Sequence, residues 1–309
     1  MQLSGIFIGH LLEKSYTQML VLHIGYAKAA TTLLQKRVFP NIPDINYIGR
    51  FYGNDLPQSK KADWVYNFVF DDDISLKSYA DKISEGINDC DARNLVSHEC
   101  LLRPYNTYRC IQRMRNLKTY FEEIKLIVSI RNQADIILSR SVHDRGVIQY
   151  KSIVNALDFE GLTQCKWPRC ASYDRLSFLT RKTKCECRIA GVKYINIPFY
   201  NYLNIYCLLR SIFGRKNIHF IVSEELQENY FNEINRLTRF LGLSPVDEQV
   251  LLNLTVKREN KRQGSTFYEN CQKEYLASGK RHEVFEYFKE ANTMLSNILQ
   301  LNLEKHGYY

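Results

Sequence analysis

The sequence has no stretch of about twenty apolar residues, which is the length that a membrane-spanning helix requires. Proline and glycine are sparse, with 7 and 14 residues among 309, and 45% of the residues are apolar, so the composition is that of a folded chain. The first twelve residues lack the basic start and the small-residue cleavage site of a signal peptide. We therefore expect a cytoplasmic protein that does not span a membrane.

The cysteines do not form the paired C-x2-C knuckles of a structural zinc site. There are nine of them, and an odd count in a chain of this length argues against a disulfide scaffold. Four lie close together, separated by four, fourteen and one residues: Cys165, Cys170, Cys185 and Cys187. We favour scattered reduced thiols, with a structural zinc as the alternative, and we expect no metal cofactor.

The formal net charge of +9 suits a nucleic acid, an anionic membrane surface or a small polyanionic ligand, and the charge alone does not choose among them. The sequence contains no recognisable nucleic-acid-binding module, so we expect no specific nucleic-acid partner. The 21 tyrosines and 16 phenylalanines suit either stacking on sugars and bases or an aromatic-rich core.

Short apolar runs alternate with segments of helical periodicity along the chain. We predict buried strands at residues 19–25, 94–99, 125–131 and 218–222, and helices at residues 29–39, 134–142 and 230–241. This alternation predicts an α/β fold with a central, mainly parallel sheet flanked by helices. We assign residues 1–18 to an N-terminal lead and residues 19–309 to a single domain, in which residues 151–193 are a candidate insertion that shapes a substrate cleft.

Three polar residues follow the carboxyl ends of predicted strands: Lys28, Glu99 and Arg131. The carboxyl ends of parallel strands lie at one edge of a sheet, and ligands bind beyond that edge. We therefore expect these three side chains to converge on one site.

Residues 25–32 (GYAKAATT) join the first strand to the first helix and have the properties of an anion site. Amide groups at a helix start, a lysine and two hydroxyls would face one ligand there. The segment is not a Walker A loop, because Lys28 comes three residues after the only glycine and no second glycine precedes it. Taken alone, an ordinary strand–turn–helix with a solvated lysine explains it equally well.

Residues 23–35 (HIGYAKAATTLLQ) resemble the 5′-phosphosulfate loop of sulfotransferases that use 3′-phosphoadenosine-5′-phosphosulfate (PAPS), which contains P-K-x-G-T-T or P-K-x-A-T-T. Residues 126–139 (LIVSIRNQADIILS) are similar to the 3′-phosphate segment of the same family, in which an arginine ends a strand and a serine follows eight residues later. Residues 217–242 resemble its E-D-L…F-L-G-L segment. The three segments occur in the family's order. Ala27 and Gln133 stand where the family usually has proline.

The resemblance implies a P-loop-like sulfotransferase fold, PAPS as donor, 3′,5′-adenosine bisphosphate (PAP) as product, and no metal. It implies that Lys28 contacts the bridging and sulfonate oxygens, and that Arg131 and Ser139 bind the 3′-phosphate. The 5′-phosphosulfate would lie against the loop residues Gly25, Lys28, Ala30, Thr31 and Thr32.

A base must take the proton of the acceptor hydroxyl, and the segment that ends the second strand offers His98 and Glu99. Neighbouring residues on a strand point to opposite faces, so only one of them can easily address the site. The S-H-E-C-L sequence resembles the glycan sulfotransferases in which a glutamate ends this strand, and we favour Glu99. A basic run at residues 257–264 matches by position a family loop that closes over the nucleotide, and Arg258 is our choice from it; a solvated charged loop is the alternative.

We therefore predict a sulfotransferase that transfers a sulfonate group from PAPS to a hydroxyl, with a carbohydrate as the expected acceptor. A kinase-like phosphotransferase is the main alternative, although no aspartate ends the second or the third predicted strand, as a Walker B motif would require. A non-catalytic nucleotide- or glycan-binding protein is the other alternative. The presence of Lys28, Glu99, Arg131 and Ser139 together argues against it.

Overall fold

The computed structural model describes residues 16–47, 93–97, 101–102, 107–143, 157–158, 195–247, 249 and 266–309. A five-stranded sheet forms the centre of this part of the chain, and its strands are β1 (Tyr16–Gly25), β2 (Ile45–Tyr47), β3 (Arg93–Ser97), β4 (Phe121–Ile130) and β7 (Ile218–Val222). Two short strands, β5 (Leu157–Asp158) and β6 (Ile195–Asn196), pair separately.

All the strand pairs of the central sheet are parallel, and the strand order is β2-β3-β1-β4-β7. The predicted α/β class with a parallel sheet is confirmed. The central strand β1 places His23 opposite Ser97 of β3 and Gly25 opposite Ser129 of β4. The carboxyl ends of β1, β3, β4 and β7 therefore lie at one edge of the sheet.

The helices that surround the sheet begin with a short turn, α1 (Thr31–Leu33), directly after the first strand. The others are α2 (Thr107–Leu117), α3 (Gln133–His143), α4 (Tyr202–Phe213), α5 (Ser223–Glu228), α6 (Tyr230–Leu241), α7 (Thr266–Ala277) and α8 (Lys280–Leu299). The predicted helix at 230–241 matches α6, and the left-handed Gly242 ends it as the sequence predicts.

Two apolar layers cover the two faces of the sheet, as expected for parallel strands that are buried on both sides. Leu20, Leu22 and Ile24 of β1 face a layer that includes α3, α4 and α8. Val21 faces the other layer, with Leu34, Val38 and Phe39 from the helical segment after β1 and with residues of α6.

The first strand and the first helix differ from their predicted bounds. β1 begins at Tyr16, so three residues of the predicted N-terminal lead belong to the sheet, where Tyr16 pairs with Phe121. The predicted helix at 29–39 begins at Thr31, because the left-handed backbone of Ala30 precedes it. It continues as a π-helical turn, Leu34–Val38, and ends in a 3-10 turn, Phe39–Asn41, which contains Pro40.

The last described helix is tied to the start of α3 by a pair of buried amide side chains. Gln133 donates to Asn292 at 2.9 Å, and Asn292 donates back to Gln133 at 3.1 Å. Asn292 also donates to the carbonyl of Tyr308 at 2.9 Å, and Gln133 donates to the carbonyl of Tyr200. Gln133 stands where the resembling family has proline, and its side chain supplies contacts that a proline could not make.

Replacing Asn292 by alanine should lower the free energy of unfolding by about 2–3 kcal/mol, because it removes the amide with which the buried Gln133 side chain exchanges two hydrogen bonds. Urea denaturation followed by circular dichroism measures this change. The matched control is Asn232→Ala, which removes an exposed amide pair with Asn229 and should change the stability by less than about 0.5 kcal/mol. Equal effects of the two substitutions would contradict the interpretation.

Candidate active site

The phosphate-binding candidate begins at Gly25, where the end of β1 lies against Ser129 of β4. A Cβ atom on Gly25 would overlap the hydroxyl of Ser129 and would lie 2.5 Å from Cγ2 of Thr31. Only glycine fits this position, because a side chain would push the loop away from both neighbours. The amide of Tyr26 then donates to the carbonyl of Ser129 at 3.2 Å, which fixes the direction in which the loop leaves the sheet.

The loop turns tightly through two left-handed residues. Lys28 has φ of 77° and Ala30 has φ of 57°, although neither is glycine. The amide of Ala29 between them donates to the carbonyl of Tyr26 at 3.0 Å. A left-handed conformation costs about 1–2 kcal/mol for a residue with a side chain, and such conformations concentrate at ligand-binding sites. Ala30 occupies the position at which the resembling loops carry glycine or alanine.

The structure brings two of the three predicted rim residues into contact. Nη1 of Arg131 donates to the carbonyl of Lys28 at 3.3 Å, across the gap between the ends of β4 and β1. Both side chains are half-buried. The two motifs that the sequence keeps about a hundred residues apart therefore meet at one edge of the sheet.

The remaining predicted loop and helix residues lie where the sequence places them. Thr31 is buried at the start of α1, and Thr32 follows it half-buried. Ser139 is half-buried in the second turn of α3, about 9 Å along the helix axis from the first residue of that helix.

An aromatic cluster beneath the loop, formed by Tyr26, Phe199, Tyr200 and Tyr202, was not predicted from the sequence. The ring of Tyr26 is fully buried and lies 4.9 Å from each of the rings of Phe199 and Tyr202, measured between centroids. The Tyr26 hydroxyl donates to the carbonyl of Phe199, and the Tyr202 hydroxyl donates to the carbonyl of Arg131 at 2.6 Å. Burial raises the pKa of both tyrosines, so both remain protonated donors.

A second unpredicted group holds the residue after Arg131. The backbone amide of Asn132 donates to Glu224 at 3.0 Å, and the Asn132 side chain donates to the carbonyl of Gly307 at 2.7 Å. The same side chain accepts from the amide of Ala134 and so caps α3. Tyr308 donates its hydroxyl to the other carboxylate oxygen of Glu224. Glu224 belongs to the S-E-E-L segment, and its hydrogen bond with the Asn132 amide fixes the backbone just after β4.

A buried polar chain, formed by Gln35, Ser97, His23 and Ser129, lies directly under the loop. Nδ1 of His23 is 2.6 Å from the Ser97 hydroxyl, and Nε2 is 3.1 Å from the Ser129 hydroxyl. The side-chain amide of Gln35 donates to Ser97 at 3.0 Å. Burial lowers the pKa of His23 from 6.5 to about 3, so the ring is neutral at physiological pH. His23 stands in the motif that carries the resemblance, but its role could not be seen in the sequence.

Three of the predicted site residues lie outside the described residues: His98, Glu99 and Arg258. The candidate insertion at 151–193 with its four clustered cysteines also lies there, apart from the short strand β5. Their assignments remain predictions. The structure does place Ser97, which directly precedes His98, at the carboxyl end of β3 and at the same edge of the sheet as the loop.

The described residues contain no group of three or more histidine, cysteine, aspartate or glutamate side chains that could hold a metal ion. Within the same residues, no helix is both long and apolar enough to cross a bilayer.

Comparison with known families gives one match, to the sulfotransferase domain family, over residues 21–293. No curated protein matches the sequence significantly. The matched range covers most of the chain and includes all three segments on which the resemblance depends. The predicted kinship with sulfotransferases is thereby confirmed, and the kinase-like alternative is not supported.

Solved structures with similar folds include a sulfotransferase from Alicyclobacillus acidocaldarius, with a TM-score of 0.50 and 15% identity over 93% of this chain and 97% of that one. Mouse SULT7A1, solved as a complex with PAP, has a TM-score of 0.42 and 14% identity over 94% and 90% of the two chains. The sulfotransferase domain of the Synechococcus PCC 7002 olefin synthase has a TM-score of 0.41 and 10% identity over 84% of each chain. The first of these supports the sulfotransferase fold.

The buried His23 should make the protein less stable in mild acid. Below pH 6.5 the unfolded chain binds a proton at this residue, whereas the native state binds one only near pH 3. As the pH is lowered from 6.5 to about 3, the free energy of unfolding should therefore fall. The proton bound by His23 in the unfolded chain accounts for about 1.4 kcal/mol per pH unit. Above pH 6.5 the His23 ring is neutral in both the native and the unfolded state, so it no longer makes the stability depend on pH.

Urea denaturation at several pH values tests this, with His23→Asn as the variant that cannot titrate. Unfolding of this variant should take up about one proton fewer than unfolding of the unmodified chain, so its unfolding free energy should depend less steeply on pH. His219→Phe provides a comparison, because burial also lowers the pKa of His219 to about 3. Its contribution should be similar, since the pKa of each buried ring is lowered to about 3. An unchanged pH dependence in His23→Asn would contradict the prediction.

Proposed function

The chain belongs to the sulfotransferase family, and from this premise we propose that it transfers a sulfonate group from PAPS to a hydroxyl of a carbohydrate. Sulfotransfer itself follows from the family. The donor's contacts, the base and the acceptor class are the parts that we propose here, together with a cytoplasmic location.

The observation that carries the proposal is the contact between Arg131 and the loop at Lys28. It joins Arg131, a cation at the end of β4, to the candidate anion-binding loop at the end of β1, which carries the cation Lys28. A nucleotide that carries phosphate at both its 5′ and 3′ positions presents two anionic groups to such a pair. A guanidinium can hold a phosphate with two parallel hydrogen bonds. Arg131 with Ser139 thus suits the 3′-phosphate, and residues 25–32 suit the 5′-phosphosulfate.

The close approach at Gly25 and the left-handed backbone at Lys28 and Ala30 support this assignment. Left-handed residues within a turn can orient successive backbone amides towards an anion. Thr31 and Thr32 add hydroxyl donors at the start of the helical segment. The amide of Asn132 and the hydroxyl of Tyr202 each make a hydrogen bond at the peptide group that follows Arg131, so the Arg131 side chain extends from a fixed backbone.

Sulfonate transfer forms a bond from the acceptor oxygen to sulfur and breaks the bond from sulfur to the 5′-phosphate oxygen. Negative charge accumulates on that leaving oxygen, and the ammonium group of Lys28 would stabilise it. Electrostatic stabilisation of this kind is usually the largest contribution to catalysis. The acceptor proton passes to a base, for which we propose Glu99, with His98 as the alternative. Glu99 follows Ser97 by two residues, and Ser97 ends a strand at the site.

The proposal of a carbohydrate acceptor depends on Glu99, because the glycan-specific sulfotransferases that this segment resembles have a glutamate at this place. The tyrosines do not add to this argument, because many of those described are buried in the core, among them Tyr26, Tyr202, Tyr206 and Tyr275. A panel of acceptors that contains chitotetraose, a heparosan oligosaccharide and 4-nitrophenol tests the class. Sulfation of 4-nitrophenol alone would overturn the carbohydrate proposal and leave the donor assignment intact.

Replacing Lys28 by methionine should lower kcat for sulfonate transfer by about 100-fold or more, because the leaving oxygen loses its compensating charge. Transfer of radiolabelled sulfonate from PAPS measures the rate. The matched control is Lys36→Met, which removes an exposed lysine from the helical segment after the same loop and should leave kcat unchanged. Full activity of Lys28→Met would exclude the proposed role.

Calorimetric titration with PAP tests the donor site directly. Unmodified protein should bind PAP without metal and in preference to ATP with magnesium; preference for ATP would overturn the proposal. Arg131→Ala should weaken PAP binding about 10- to 100-fold, because a guanidinium–phosphate pair is lost, while binding of adenosine 5′-monophosphate should change little. The control Arg239→Ala removes an exposed arginine on α6. Equal losses for PAP and the monophosphate in Arg131→Ala would contradict the assignment to the 3′-phosphate.

A further inference from the structure

The sheet changes from apolar to polar one step before its carboxyl edge. Val21, Leu95 and Ile127 lie on the face that packs against the helical segment after β1, with Val21 level with Leu95 and Ile127 level with His23. Two residues further along each strand, on the same face, stand His23, Ser97 and Ser129. All three are at most 1% exposed. A buried polar layer is costly unless its groups satisfy one another, so its presence directly beneath the site calls for an explanation.

Each end of this polar chain leads to a different functional element. Ser129 lies against Gly25, and its carbonyl accepts from the amide of Tyr26, where the phosphate loop begins. Ser97 is the last residue of β3, and the candidate bases His98 and Glu99 follow it directly in the sequence. The His23 side chain contacts both serines.

The hydrogen bonds are satisfied when the Ser97 hydroxyl, which accepts from Gln35, donates to Nδ1 of His23, 2.6 Å away, and Nε2 carries the proton and donates to Ser129. The opposite tautomer, in which Nδ1 donates to Ser97 and Nε2 accepts from Ser129, joins the same three side chains. Burial lowers the pKa of His23 to about 3, so the ring is neutral and presents one donor and one acceptor to the two serines.

We propose that His23 is a positioning residue for sulfonate transfer, which holds the phosphate loop and the end of β3, the strand that precedes the candidate base in the sequence, at a fixed separation. The inference rests on the proposed function. The Nε2 arm, through Ser129, fixes the loop that binds the donor. The Nδ1 arm, through Ser97, fixes the start of the segment that takes the acceptor proton. His23 itself does not touch the reacting atoms.

Two substitutions separate the arms. The side-chain oxygen of an asparagine at this position reaches about as far as Nδ1 and can still accept from Ser97. The side-chain NH2 of a glutamine reaches about as far as Nε2 and can still donate to Ser129. We expect His23→Asn to weaken PAP binding about tenfold with kcat nearly unchanged, and His23→Gln to lower kcat about tenfold or more with PAP binding nearly unchanged. Calorimetry measures the dissociation constant of PAP, and PAPS turnover with the most active acceptor of the panel measures kcat.

The serine variants repeat the test without altering the ring. Ser97→Ala should behave as His23→Gln does, and Ser129→Ala as His23→Asn does; each deletes one hydroxyl and is suited to carry the test if a histidine variant fails to fold. The control is His219→Phe, which alters another buried histidine, on β7, that stacks on Phe240. It should change the melting temperature and leave both kinetic and binding constants unchanged.

A crossed pattern, in which one pair of variants loses binding and the other loses turnover, supports the positioning role. Parallel losses of both constants that follow the melting temperature, or no loss in any variant, would overturn it. Failure of the unmodified protein to bind PAP would overturn the proposed function instead, so the two failures are distinguishable.

Discussion

The site depends on the contact between β1 and β4 at Gly25, where no side chain fits between the two strands. This contact sets the point at which the loop leaves the sheet and brings Tyr26 against Ser129. The turn that follows uses left-handed conformations at Lys28 and Ala30, which are unfavourable for residues with a side chain. The buried ring of Tyr26 on one side and the helical segment on the other hold the loop in this shape. The strain is therefore confined to a few residues of the turn.

Arg131 is fixed through its backbone on both sides of one peptide bond. The Tyr202 hydroxyl donates to the Arg131 carbonyl, and the next amide, that of Asn132, donates to Glu224. Both partners are themselves held, because Tyr202 packs on Tyr26 and Glu224 accepts from Tyr308. Burial, with the nearby carboxylate of Glu224, raises the pKa of Tyr308, so its hydroxyl remains a donor. The Arg131 side chain thus extends from a peptide group that is held on both sides, which limits its displacement.

The sequence predicts the fold class, the central strands and the position of the loop, because continuous apolar runs and a glycine at a strand end are local patterns. It also predicts that Lys28 and Arg131 converge, since parallel strands share one carboxyl edge. The supporting residues could not be predicted in the same way. His23, Ser97 and Ser129 resemble ordinary strand residues, and their bonds become visible only when the register of three strands is known. Asn292 and Tyr308 support the site from the far end of the chain, where no motif indicates a link.

The strand order has a consequence for how the chain acquires its structure. β1 is the first described strand, yet it occupies the middle of the sheet, between β3 and β4. Its contacts at the carboxyl edge are with residues 74 and 106 positions later, Ser97 and Ser129. Long-range parallel pairing of this kind slows folding, because the entropy of closing the loops is lost before the contacts form. During synthesis, the apolar residues of β1 must wait for more than a hundred further residues before both neighbours exist. β1 thus gains its second neighbour in the sheet only when β4 has been made.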